Sequence, residues 1–406
     1  MNAFIIRNAK IVTPEAVIDN GSLYVEGSVI AGIDAEPVGA ERLPVIDAGG
    51  AVLMPGIIDI HTDALDMEIV PRPGADMPVI VAFRELERKM AGCGFTTVFH
   101  SLHLGYEVAE GQSRSRYSRR EVFETVSKAS NGPTLLNNKI HLRYELTGVA
   151  AYEDGLEFLR RGMISLLSVM DHTPGQGQFG WENFMRVMLK QGKTEEQALQ
   201  EFKALTSRPR IEGGSLETMI RLAKENNIPV ASHDDDTPEK VRAMHQLGVE
   251  ICEFPINLPT AEEAVRLGLH VAGGASNILR GGSLSGNLCM KEAVLKEVID
   301  VLCSDYYPPS ILHAIFKLHQ DEKLFLPDAV NLATLNPAKA ARIHGHTGSI
   351  EQGKDADLLL VRVTEGLPMV THTIVKGQVV LQSARRNEAK QNGVMTKDFD
   401  HAYRNN

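Results

Sequence analysis

The strongest indication of the fold is Met54-Pro55-Gly56-Ile57-Ile58-Asp59-Ile60-His61-Thr62-Asp63, an apolar run that ends in polar side chains. The alternation of a β-strand places Asp59, His61 and Asp63 on one face. An imidazole and a carboxylate two residues apart at the end of a rigid strand can bind one cation. The alternative is a capped strand end with a solvated polar pair. Further candidate ligands at the ends of later strands favour the metal site.

The composition is typical of a globular protein. The chain has 406 residues, 43% hydrophobic and 23% charged, which is enough for one large domain and a small one. The net charge of −10 argues against binding to nucleic acid or to an anionic membrane. It does not exclude a small anionic substrate, because arginines or a metal can invert the potential locally.

Cysteine usage and the first residues predict where the protein works. The four cysteines form no CxxC pair, and residues 1–7 enter a strand pattern directly, so we expect no secretory leader. No apolar run approaches the roughly 20 residues that a membrane span requires. We therefore expect a cytoplasmic protein.

Short strand patterns separated by turn signals occupy both ends of the chain. They fill residues 3–53 and return at 356–361 and 373–380, where Lys376-Gly377 marks a hairpin. We predict that residues 1–53 and 344–385 build one composite β-sandwich. Residues 386–406 are predicted to be a polar tail.

The middle of the chain, residues 54–343, alternates strand and helix patterns. Strands are predicted at 57–61, 95–100, 139–146, 163–169, 228–233, 249–254, 269–273 and 300–304. Eight such repeats predict an α/β fold with a (β/α)₈ TIM barrel. An open doubly wound sheet is the alternative, but no GxGxxG or GxxxxGK[ST] loop is present.

Two connections are longer than usual, at about 104–138 and 172–214, and such insertions lie on the catalytic face of barrels. The first contains Arg114, Arg116, Arg119 and Arg120. A solvated basic helix start is the favoured interpretation of these arginines, with a place over the site as the alternative.

Polar side chains recur where successive strands end. The candidate metal ligands are His61, Asp63, Glu145, His172, His233 and Asp305. Mixed nitrogen and oxygen ligands suit one or two divalent ions such as Zn, Mn, Fe or Ni. Asp305 is also the candidate catalytic base, beside water acidified by the metal. Each residue has a structural alternative, for example a loop cap for His172, but isolated buried charges at one barrel end are costly.

Several longer motifs carry a family resemblance. They are His61-Thr62-Asp63, Pro71-Arg72-Pro73, His141-Leu142-Arg143-Tyr144-Glu145, Met170-Asp171-His172-Thr173-Pro174-Gly175-Gln176, Ala231-Ser232-His233-Asp234-Asp235, Glu253-Phe254-Pro255, Arg280-Gly281-Gly282-Ser283, Ser285-Gly286-Asn287 and Ser304-Asp305-Tyr306-Tyr307-Pro308. With the split β module, they resemble the amidohydrolase superfamily. Within it they resemble the α-D-ribose 1-methylphosphonate 5-triphosphate diphosphatases of the carbon–phosphorus lyase pathway.

The resemblance implies a reaction and a binding site. Metal-bound hydroxide would attack phosphorus in the 5-triphosphate, leaving pyrophosphate and ribose 1-methylphosphonate 5-phosphate. Arg72, Arg143 and Arg280 would bind the phosphates, with Ser283 and Ser285 in a glycine-rich loop. Ordinary salt bridges and a plain barrel loop are the alternatives. The expected partners are a second copy of this chain in a homo-oligomer and other phosphonate-degrading enzymes.

The chain departs from the family pattern at Ala64, Met67, Met77 and Leu284. The metal set is intact, so hydrolase chemistry is expected, but a different phosphonate or phosphate ester stays open as substrate. A second hypothesis is an amidohydrolase or deaminase that opens a cyclic C–N bond. A third is a binding or scaffolding protein, which the complete ligand set disfavours.

Overall fold

Eight parallel strands form the central sheet of the computed structural model, which describes residues 3–105, 115–175, 177, 180–282 and 288–384. In chain order they are β6 (Ile57–Thr62), β7 (Phe95–Leu104), β8 (Asn137–Glu145), β9 (Leu166–Met170), β10 (Val230–His233), β11 (Ile251–Glu253), β12 (His270–Gly274) and β13 (Val301–Cys303). Each strand pairs with the next one in the chain. This order is the one expected of a barrel built from βα repeats.

The barrel closes where its first and last strands meet at their carboxyl ends. Thr62 and Asp305 form a parallel bridge. The Asp63 amide donates to the Asp305 carbonyl at 2.7 Å, and the Asp305 amide donates to the His61 carbonyl at 3.1 Å. The predicted barrel is therefore confirmed, and its closing contacts lie among the predicted metal ligands.

Helices surround the barrel and connect its strands. They are α1 (Ala64–Ile69), α2 (Val79–Cys93), α3 (Arg119–Ser130), α4 (Tyr152–Arg160), α5 (Trp181–Lys190), α6 (Glu195–Thr206), α7 (Gly214–Glu225), α8 (Pro238–Leu247), α9 (Leu258–Arg266), α10 (Ala275–Arg280), α11 (Met290–Leu295), α12 (Ser310–Asp321), α13 (Leu326–Asn331) and α14 (Leu335–Ala340). One apolar core packs helices onto strands, and a smaller one, which includes Ile58, Phe99 and Ile251, fills the barrel. None of the helices in the described ranges is long and apolar enough to cross a membrane.

Both ends of the chain contribute to a second eight-stranded sheet. Its strands are β1 (Ala3–Val12), β2 (Val17–Glu26), β3 (Val29–Ile33), β4 (Val45–Asp47), β5 (Val52–Pro55), β14 (Leu358–Thr364), β15 (Leu367–Val375) and β16 (Gln378–Gln382). β5 pairs with β14 in antiparallel register, which joins the two ends. The sheet is continuous and has its own core, which includes Ile11, Leu53 and Leu360. The predicted domain boundaries themselves stay a prediction, and the tail at 386–406 lies outside the described residues.

The long connection after β9 carries a helical hairpin of α5 and α6. Phe184, Met188 and Ala198 form a small separate core between these helices. Thr194 caps α6 and Gln197 returns a bond to its backbone, so the sequence sets where this helix begins. The long connection predicted at about 172–214 therefore contains regular helices.

Candidate metal centre

The carboxyl ends of the barrel strands place the predicted ligands around one mouth. Glu145 ends the third barrel strand, and His233 ends the fifth. His172 follows the fourth strand by two residues. Because parallel strands of a barrel end at the same face, side chains far apart in sequence meet there.

Three residues that follow strand ends have a left-handed backbone. The φ angles are 51° at Asp234, 55° at Phe254 and 59° at Asp305. Non-glycine residues in this region cost on the order of 1–3 kcal/mol each, and such strain clusters at functional sites. The left-handed turns redirect the chain directly after β10 and β11 and two residues after β13.

Three overlapping groups of potential ligand atoms lie at this mouth. They are His61, Asp63 and Asp305; His172, His233 and Asp234; and His61, His233 and Glu253. Within each group the atoms are no more than 4.8 Å apart. Five of the six predicted ligands are thus brought together. Their roles as ligands stay predictions.

The sixth predicted ligand, Glu145, contacts His172. Its Oε2 lies 2.6 Å from His172 Nδ1, and its Oε1 accepts from the His172 amide at 3.0 Å. Glu145 belongs to none of the three groups found among the described residues. In this arrangement it orients His172, so the expected ligand role rests on the sequence alone.

The buried atoms of the centre suit a cation. His61 Nδ1, His141 Nε2 and Glu253 Oε1 are buried without a hydrogen bond in the described part of the chain. His141 Nδ1 lies 2.9 Å from the Ile60 carbonyl, which leaves Nε2 as an acceptor 3.8 Å from Glu253. Acceptors that face each other in a dry site are costly unless a proton or a cation lies between them. The nitrogen and oxygen donors therefore fit a divalent metal.

Burial and neighbouring charges shift the pKa values of the centre. Burial lowers the pKa of His141 to about 3, which keeps this imidazole neutral at pH 7. Burial opposes the charge of Glu253, but the His61 imidazole holds the pKa of its carboxyl well below the usual range. Burial raises the pKa of Asp305 to about 6. A carboxylate with such a pKa is a competent proton acceptor near neutral pH.

Arg143 is the predicted phosphate-binding arginine that contacts the centre. Its side chain is buried, Nη1 donates to Asp63 Oδ1 at 2.5 Å, and Nη2 lies 3.4 Å from His233 Nε2. Burial opposes its charge, but Asp63 raises the pKa of this guanidinium. A fixed cation therefore stands beside the potential metal ligands.

The other predicted substrate-binding residues are not brought to the cluster by any contact among the described residues. Arg72 and Arg280 are exposed, the latter at the last position of α10, which follows β12. Ser283 and Ser285 lie outside the described residues. The substrate-binding roles of all four stay predictions.

The arginines that begin α3 pair with acidic residues. Arg119 donates to Asp66 at 2.9 Å, and Arg120 donates to Glu157 at 2.8 Å. These ion pairs explain the basic cluster without a ligand, in line with the favoured interpretation of the sequence. Arg114 lies outside the described residues.

Sequence reasoning missed Glu253 as a site residue. Its carboxylate is fully buried and lies 3.2 Å from His61 Nδ1 and 3.3 Å from His233 Nδ1. It ends β11, the same strand-end position that selected the other candidates. Glu253 lies in one of the motifs that carry the family resemblance. The criterion that selected the other ligands, a polar side chain at the end of a barrel strand, was not applied to it.

Comparison with known proteins identifies the family. The chain is 35% identical over 387 residues to the alpha-D-ribose 1-methylphosphonate 5-triphosphate diphosphatase of Escherichia coli strain K12, covering 93% of this chain and 100% of that relative. The model of the amidohydrolase family matches residues 188–380. The chain belongs to the amidohydrolase family. It is therefore a hydrolase, and the resemblance inferred from its motifs is confirmed.

More distant relatives match along most of the chain. An imidazolonepropionase of Thermoplasma acidophilum is 23% identical over 411 residues, covering 90% of each chain. The crystal structure of N-acetylglucosamine-6-phosphate deacetylase from Pasteurella multocida superimposes with a TM-score of 0.60 at 14% identity, covering 93% of this chain and 99% of that one. The structural likeness supports the fold of this amidohydrolase and does not select a substrate.

Proposed function

We propose that the protein hydrolyses α-D-ribose 1-methylphosphonate 5-triphosphate to ribose 1-methylphosphonate 5-phosphate and pyrophosphate, with a divalent metal. The similarity to the Escherichia coli diphosphatase over nearly the whole chain carries the proposal. The buried guanidinium of Arg143 beside the ligand cluster supports it, because a polyphosphate requires fixed positive charge.

The residues at the mouth suit hydrolysis at phosphorus. When bound, a divalent cation would supply Lewis acidity that acidifies water and offsets the charge of phosphate oxygens. His61, Asp63, His172, His233 and Asp305 would hold it. Asp305 would accept a proton from the attacking water, and Arg143 would donate hydrogen bonds to phosphate oxygens. The bond to the pyrophosphate group then breaks, and pyrophosphate leaves as the product anion.

A substrate panel tests the proposal. The purified protein, loaded separately with Zn²⁺ and Mn²⁺, is incubated with the 5-triphosphorylated ribosyl methylphosphonate, and pyrophosphate and orthophosphate are measured. We expect stoichiometric pyrophosphate, loss of turnover with a chelator, and recovery when metal is restored. His61→Ala should abolish turnover. Release of orthophosphate alone, or turnover that survives both chelation and His61→Ala, would contradict the proposal.

The similarity to an imidazolonepropionase motivates a second candidate, hydrolysis of a cyclic C–N bond. The same metal-loaded preparations are offered imidazolone, hydantoin and dihydropyrimidine rings, and ring opening is followed by absorbance. The buried Arg143 argues against this candidate, because a neutral ring needs no fixed cation. Ring opening without pyrophosphate release would replace the first proposal with the second.

A further inference from the structure

Glu253 contacts two imidazoles from different strands with a single carboxylate. Its Oε1 lies 3.2 Å from Nδ1 of His61, and its Oε2 lies 3.3 Å from Nδ1 of His233. Ser168 Oγ donates to Oε2 at 2.8 Å and fixes the carboxylate on its other side. Glu253 and Ser168 are both fully buried. Both Nδ1 atoms therefore lie against one anion in the interior of the barrel.

The contacts of His233 define which of its ring nitrogens carries the proton. Arg143 Nη2 lies 3.4 Å from His233 Nε2, and a guanidinium can only donate. Nε2 is therefore the acceptor, so Nδ1 carries the hydrogen and donates it to Glu253. An imidazole in this tautomer has its lone pair at Nε2, where it accepts from Arg143 or binds a metal in place of that hydrogen bond.

Phe254 restrains the same two rings from a third direction. Its ring centroid lies 4.8 Å from that of His61 and 5.4 Å from that of His233, in edge-on geometry. The left-handed backbone of Phe254 follows Glu253 directly. The end of β11 thus supplies both a carboxylate at the Nδ1 atoms and an aromatic ring roughly perpendicular to both imidazoles.

We propose that Glu253 is the positioning residue of the metal centre. The contact of His233 Nδ1 with its carboxylate fixes the tautomer of that ring, and the carboxylate faces Nδ1 of His61 at 3.2 Å, so that Nε2 of both rings is left for the cation. The inference rests on the metal centre of the proposed function and not on its substrate. It predicts that Glu253 governs metal affinity without being a ligand itself.

The variant Glu253→Gln separates this role from others, because it keeps the shape of the side chain and removes the charge. Zn²⁺ affinity is measured by equilibrium dialysis of the full-length protein, without any substrate. We expect a loss of about 10- to 100-fold, as is usual when the carboxylate partner of a ligating imidazole is removed. In ¹⁵N spectra of the metal-free protein, two histidine signals should leave the Nδ1–H tautomer. Unfolding by urea of that metal-free variant should need less denaturant than wild type, because His61 loses the buried carboxylate that it faces at 3.2 Å.

Two further variants calibrate the result. Ser168→Ala removes one hydrogen bond to Glu253 and should weaken Zn²⁺ binding several-fold in the same direction. Glu250→Gln changes a carboxylate three residues earlier that pairs with Arg342 and should leave Zn²⁺ affinity unchanged.

Each remaining outcome decides against the inference. Wild-type Zn²⁺ affinity in Glu253→Gln removes any positioning role. Weakened binding with unchanged histidine tautomers would make Glu253 a direct ligand instead. A metal-free variant that unfolds at lower urea with unchanged tautomers would make it a structural residue. If wild type binds neither Zn²⁺ nor Mn²⁺, the inference and the metal centre both fail, whereas failure of pyrophosphate release alone leaves the inference intact.

Discussion

Arg143 donates a hydrogen bond of 2.5 Å to Asp63, so that a guanidinium on one barrel strand holds a carboxylate that follows another. Burial opposes the charge of Asp63, but Arg143 keeps the pKa of this carboxyl below its usual value. Asp63 is thus an anion at neutral pH and faces both Arg143 and the other potential ligands. Under the proposed function, Asp63 would bind the metal and Arg143 would bind phosphate oxygens of the substrate.

Replacing Arg143 with lysine tests its contact with phosphate. The charge remains, but the planar fork that binds two phosphate oxygens is lost. We expect kcat/KM for the triphosphate to fall about 10- to 100-fold, which corresponds to about 1.4–2.8 kcal/mol, with metal content unchanged. The exposed Arg266→Lys serves as control. Unchanged kcat/KM in Arg143→Lys would remove the arginine from the phosphate site.

Asp305→Asn tests the proton acceptor. The amide cannot accept a proton from water, so kcat should fall by about 10²- to 10⁴-fold. Pyrophosphate release is measured with bound metal quantified in the same samples, since Asp305 is also a predicted ligand. Asp19→Asn, on an exposed position of β2, is the matched control. Turnover equal to wild type would show that Asp305 has no catalytic role.

Arg280 is exposed at the end of α10, and its predicted role requires it to reach the substrate. Arg280→Ala should raise KM or lower kcat, because one phosphate contact is lost, while the bound metal stays constant. Arg160→Ala removes an equally exposed arginine from the end of α4 and should have no effect. Wild-type kinetics in Arg280→Ala would leave this arginine outside the binding site.

Asp59 predicts a pH dependence of folding in the metal-free protein. Burial raises the pKa of this carboxyl from 3.8 to about 7, although Ser304 and His61 donate backbone hydrogen bonds to it. The unfolded chain then ionises near pH 4 and the folded chain near pH 7. The contribution of the protonated Asp59 carboxyl to the free energy of unfolding is therefore full below pH 4, and it is lost as the pH rises to about 7. About three pKa units correspond to about 4 kcal/mol.

Urea unfolding with chelator present, from pH 4 to pH 8, checks the Asp59 prediction. The free energy of unfolding of wild type should fall relative to Asp59→Asn across this window, because the amide cannot ionise. Above pH 7 the free energy of unfolding of Asp59→Asn, relative to that of wild type, should be a few kcal/mol higher than it is at pH 4. Parallel curves for the two proteins would show that Asp59 has an ordinary pKa.

The pairing of β5 with β14 predicts that the two ends of the chain fold together. Leu360 is paired with Leu53 across this junction, and both are buried in the core of the terminal sheet. Leu360→Ala should lower the free energy of unfolding by about 2–5 kcal/mol. Leu367→Ala, at a position 57% exposed, should change it little. Limited proteolysis should not release residues 1–50 from the native protein, and early release of that fragment would contradict the shared sheet.

The amino-acid pattern alone predicts the barrel, the sheet shared by both termini, and the ring of polar residues at the strand ends. Those features follow from local rules, because a period of two marks strands and parallel strands place their ends together. The sequence also selected His61, Asp63, His172, His233 and Asp305, which the folded chain brings into overlapping groups.

Which carboxylate faces which imidazole becomes visible only in the folded chain. Glu145 and Glu253 both end barrel strands, so sequence position alone cannot rank them. The relative height and rotation of neighbouring strands in the closed barrel direct Glu145 to His172 and Glu253 to His61 and His233. These contacts join residues from 20 to 192 positions apart, and no local pattern encodes a distance between side chains that meet only when the barrel closes.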